Sequence, residues 1–144
     1  MQAQNYKNHT RMVIGFHYVL GGIILLTLIL LLTNLYQGIQ STEGILSSII
    51  LILLTISVLL VGFYARSFSL KAQDRAIRAE ENLRYFVLTG KPLDSSLKIG
   101  QIIALRFAPD AELPSLAKKV ISENLGNNDL KQLIKDWKED HHRV

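Results

Sequence analysis

Apolar residues in this chain are gathered into two blocks. Residues 13–35 read VIGFHYVLGGIILLTLILLLTNL and residues 45–65 read ILSSIILILLTISVLLVGFYA, with no Lys, Arg, Asp or Glu in either. As helices they extend for roughly 30 Å, the thickness of bilayer hydrocarbon, where a helix satisfies its own backbone polar groups. Two membrane spans are predicted. The intervening residues 36–44 (YQGIQSTEG) read as a short external loop, so the spans should lie antiparallel as a hairpin. A cleaved signal peptide is the competing account of the first block. Its apolar run is longer than a usual signal core, and no small-residue cleavage site follows it.

Beyond residue 65 the pattern becomes amphipathic. Residues 66–88 contain neither Gly nor Pro and predict a cytoplasmic extension of the second span, supported by Asp74/Arg78 and Glu80/Arg84 at i, i+4. Ala72, Ala76, Ala79, Leu83 and Phe86 form a short heptad seam on this segment, a candidate surface for the same helix of a second copy, another part of the tail or a foreign subunit. Gly90 and Pro92 break the helix. Residues 89–144 then show three apolar stripes at helical spacing, predicting a small three-helix unit in which Ser95 or Ser96 caps the first helix. Trp137 reads either as a core side chain of that unit or as a contact anchor. So small a unit buries too little by itself and calls for another surface to dock on.

Charge adds orientation. Lys7 and Arg11 precede the first span, no basic residue lies between the spans, and Arg66, Lys71, Arg75, Arg78 and Arg84 follow the second. That bias places both termini, including the segment 1–12, in the cytoplasm. Arg11, Arg66, Lys71, Arg75 and Arg78 are the candidates for setting topology and touching lipid headgroups. The net charge is +4, but acids are mixed among the bases of the tail and no basic stripe with interleaved aromatics occurs, which argues against nucleic acid. Cysteine is absent, excluding disulfides and thiolate chemistry.

Small residues at seven-residue spacing mark candidate helix-packing faces: Gly15 and Gly22 on the first span, Ser48, Thr55 and Gly62 on the second. The alternative is that such residues are simply common in membrane helices. His17 lies a turn inside the first span, where an imidazole reaches the interface. No phosphate loop, dinucleotide fingerprint or metalloprotease motif occurs. Asp136, Glu139, Asp140, His141 and His142 have metal-binding chemistry without a fixed geometry and read as a solvated end. No catalytic residue, metal, cofactor or small-molecule substrate is expected.

The strings QNYKNH (4–9), QDRAIRAEENLR (73–84), TGKPLD (89–94), QIIALRFA (101–108) and DHHRV (140–144) together resemble an uncharacterised family of small bacterial membrane proteins, a domain of unknown function. The resemblance spans the chain and implies a two-span protein of the bacterial inner membrane, with no activity to carry onto any residue. The expectation is an all-α membrane protein acting as a non-catalytic subunit or scaffold. Its partners would be lipid, its own copies or other membrane subunits. The alternative is a membrane-tethered regulator.

Overall fold

The computed structural model describes residues 4–9, 12–41 and 43–140; Arg11, His141 and His142 lie outside them. Among the described residues all regular structure is helical. A π-helical turn at Gly15–Leu20 leads into α1 (Gly21–Ser41), followed by α2 (Ile45–Thr89), α3 (Ile99–Leu105), α4 (Leu113–Ser122) and α5 (Asn127–Leu133). The chain divides into two units, one being Met12–Ser69 and the other Met1–Arg11 with Leu70–Val144. Helix α2 contributes to both.

In the first unit the half-buried positions recur every three or four residues. They are Phe16, His17, Leu20, Ile24, Thr27, Leu28, Leu31 and Leu35 on one side, and Ile45, Ile52, Thr55, Gly62 and Arg66 on the other. Ser48 Oγ donates to Asn34 Oδ1 at 2.6 Å, and the Arg66 guanidinium stands 5.9 Å from the Phe16 ring centroid. The other faces are apolar and open, as Leu25 (61% exposed) and Val61 (68%) illustrate. Two helices are thus long and apolar enough to cross a membrane, with mean hydropathy of 2.3 and 2.8 over an 18-residue stretch of each.

The helix expected to end at residue 35 continues to Ser41, whose hydroxyl donates to the Gln37 carbonyl at 3.1 Å. Gln37, Ile39 and Gln40 suit a helix as readily as a loop, so polarity alone misplaced that end. Between α1 and α2 lies Gly44, whose φ of +75° is a left-handed conformation that glycine adopts without strain. Gly38 makes room for the residues that follow α1, because a Cβ there would stand 2.8 Å from the Glu43 carbonyl oxygen.

In the second unit α2 ends where Gly90, at φ +72°, donates its N–H to the Phe86 carbonyl at 2.8 Å. Leu97, Ile102, Leu105, Phe107, Leu113, Leu116, Val120, Leu130 and Ile134 form the core between α3, α4 and α5, with Tyr85, Leu93, Leu133 and Trp137 packed on it. The sequence suggests Ser95 or Ser96 as the cap of α3, but neither caps it. Its N-cap is Lys98, whose N–H donates to Gln101 Oε1 at 2.8 Å, while the Gln101 amide donates to the Leu125 carbonyl at 2.9 Å.

Candidate functional site

The second unit offers three constructed features. The first is its fastening to α2. That helix turns Ile77, Glu81, Arg84 and Tyr85 toward the core, a stripe with i, i+4, i+7, i+8 spacing. Arg84 is the hub, donating to Glu81 Oε2 (3.0 Å), Asp110 Oδ1 (2.7 Å from Nε) and the Ala108 carbonyl (2.7 Å). Its anionic partner on the helix is Glu81 instead of the expected Glu80, because i+3 lies on the docked face. Nearby, Asn82 Oδ1 accepts the Leu93 N–H at 2.9 Å and holds the segment after the break.

The second feature joins the two ends of the chain. Gln4 and Asp140 are tied by a pair of bonds, Gln4 Nε2 donating to the Asp140 carbonyl at 3.1 Å and the Asp140 N–H donating to Gln4 Oε1 at 2.7 Å. The Asp140 carboxylate lies 2.9 Å from the buried Arg106 guanidinium, which covers the Phe107 ring at 4.6 Å. His9 sits among Tyr6, Phe107 and Trp137 with ring centroids 5.7–6.0 Å away. Its Nδ1 meets the Tyr6 carbonyl at 2.7 Å and its Nε2 meets the Lys131 ammonium at 3.0 Å. A carbonyl only accepts and an ammonium only donates, so these two contacts suit the tautomer with its proton on Nδ1. Residues 4–9, expected as a separate segment, are therefore part of this unit.

The third is a cavity of about 490 Å³ lined by Arg75, Arg78, Ala79 and Asn82 of α2, by Pro92, Leu93, Asp94 and Ser95, and by Ile102. Asp94 Oδ1 accepts from the Ser96 hydroxyl (2.7 Å) and the Ser96 N–H (2.8 Å). Those two bonds, the hydroxyl's first, hold the Asp94 carboxyl below the usual carboxylate range. Arg78 makes no ion pair with Asp74 despite their spacing; it faces this cavity instead.

The remaining sequence candidates fall as follows. Ser48 is fully buried against Asn34, and Thr55 is half-buried with its hydroxyl returned to the Leu51 carbonyl. Gly15, Gly22 and Gly62 have no atom within 4 Å of an added Cβ, so the close approach occurs at Gly38. Ala72, Ala76 and Ala79 are exposed, as are Leu83 (64%) and Phe86 (50%), on the face of α2 opposite the docked one. Lys71, Arg75 and Arg78 are exposed and Arg66 is half-buried. Trp137 is half-buried on the core, 4.9 Å from Phe107. His17 Nδ1 lies 3.0 Å from the Val13 carbonyl, inside its own first turn.

Sequence reasoning missed Gly38, Asn34, Gln4, His9 and Arg106. The last three lie in strings that carry the family resemblance, a signal that they have partners, but not which ones. Compared with known proteins, the chain matches, over residues 1–144, the model described as a family of unknown function, DUF6526. No curated protein and no solved structure matches it.

Proposed function

The chain belongs to the DUF6526 family, and we propose that it is a non-catalytic membrane subunit, a two-helix hairpin anchor that presents a helical unit on the cytoplasmic side for assembly. The observation that carries this reading is the pairing of chain ends: residues 4–9 and 70–140 form one unit, while the sequence between them holds two open, apolar helices. Two segments that share a unit lie on one side of a bilayer, so the stretch between them crosses it an even number of times. Two spans meet that requirement, and the basic residues flanking them favour a cytoplasmic location for the ends. The face formed by Ala72, Ala76, Ala79, Leu83 and Phe86 supports assembly, since it is uncovered although the other side of α2 is docked. A regulator is the second reading, favoured by the unbroken course of α2 from the apolar block into the second unit.

Because the chain lacks cysteine, single replacements test this without background. In intact cells an impermeant maleimide should label Gln40→Cys and spare Asn124→Cys until the membrane is opened. Labelling of Asn124→Cys from outside would overturn the topology. Leu83→Cys should form cross-linked pairs, either with itself or with another membrane chain, in native membranes; monomers alone would overturn assembly through that face.

A further inference from the structure

The cavity between α2 and residues 92–95 is chemically lopsided. Arg75 and Arg78 stand one helical turn apart, where like charges at i, i+3 repel. Among the described residues neither guanidinium has a hydrogen-bond or ion-pair partner, and neither has the Ser95 hydroxyl. Asn82 spends its carbonyl on the Leu93 N–H, which leaves its NH₂ as a donor. Asp94 is the one acid among the lining residues, and its Oδ1 already accepts twice from Ser96. The lining thus offers two cations against one carboxylate turned to Ser96, with an amide donor and a hydroxyl beside the apolar surfaces of Ala79, Pro92, Leu93 and Ile102.

We propose that this cavity binds a phosphate ester, with the phosphate held between Arg75 and Arg78 and the apolar substituent of the ester resting on Leu93 and Ile102. Guanidinium groups suit phosphate because their planar forks donate two parallel bonds, and a doubly cationic helix face gains from an anion that relieves its own repulsion. The volume, about 490 Å³, is that of an ordinary small-ligand site. Two sources share this chemistry, a soluble phosphate ester and a phospholipid headgroup. The cavity lies wholly within the second unit, so its binding is independent of how the apolar helices are covered.

The test uses full-length protein in an uncharged detergent, with phenyl phosphate as the soluble probe and phosphatidylglycerol added to the micelles as the lipid probe. Binding of at least one is expected, weakened tenfold or more by Arg75→Gln with Arg78→Gln and clearly by Arg78→Lys, which keeps the charge and loses the fork. Lys118→Gln, on the exposed side of α4, should leave binding unchanged. Loss of phenyl phosphate binding in the arginine variants assigns a soluble ester. Loss of phosphatidylglycerol binding alone assigns a headgroup. Binding that is indifferent to Arg75 and Arg78, or that falls equally in Lys118→Gln, overturns the site, as does failure of both probes to bind at millimolar concentration. Trp137 emission checks that every variant is folded.

Discussion

Replacing Arg84 by methionine keeps the apolar stem of the side chain and removes three interactions at once. Glu81, whose side chain is 9% exposed, loses its cation. A buried carboxylate left without a partner costs about 3–5 kcal/mol. The Ala108 carbonyl loses a charge-assisted bond, and such bonds contribute about 1.5–3 kcal/mol. Asp110 is 65% exposed, so that pair adds under about 1 kcal/mol. These terms share one side chain and do not add; a loss of about 4 kcal/mol is expected from. A unit of this size has roughly 4–12 kcal/mol in total, so the change should be plain. Trp137 is the sole tryptophan and packs on Phe107, which makes its emission during urea unfolding a report on this unit alone. The double variant Glu81→Gln with Arg84→Met leaves no stranded charge and should be more stable than Arg84→Met by itself. If Arg84→Met costs under about 1 kcal/mol, or the double variant is no better than the single one, the fastening described here is wrong.

Three further outcomes are expected. Gly38→Ala should loosen the connection between α1 and α2, with a loss of about 1–3 kcal/mol from overpacking against the Glu43 carbonyl. Gly22→Ala, in open space, should be neutral or stabilising by up to about 1 kcal/mol, and thermal unfolding in detergent separates the two. Ser96→Ala should raise the Asp94 carboxyl toward its ordinary value, read by carbon NMR of that carboxyl during an acid titration. Because the folded carboxyl is depressed, its contribution to the turn is present above the ordinary carboxylate range and is lost as pH falls through the depressed value. An unchanged Asp94 titration in Ser96→Ala would show that Ser96 is not the cause.

Sequence alone determined the features that depend on one segment and its solvent. Two uncharged blocks of twenty-odd residues need no tertiary contact to be helical, and Gly90 ends α2 through a local bond. The three helices after residue 98 were legible because each carries its apolar stripe within a single turn-repeat. Periodicity was a poorer guide to which face of α2 docks. Counting apolar residues points to Ala72, Ala76, Ala79, Leu83 and Phe86, whereas the structure uses Ile77, Glu81, Arg84 and Tyr85, a stripe with two charges. Those charges are buried only because they neutralise each other across three residues and find Asp110 and the Ala108 carbonyl on another element. Such a match is a property of two surfaces together. The same holds for Gln4 with Asp140 and for His9 with Lys131, which are more than a hundred positions apart. Only the folded chain decides that its two ends meet, because their hydrogen bonds are specific in geometry but carry no repeating pattern along the sequence.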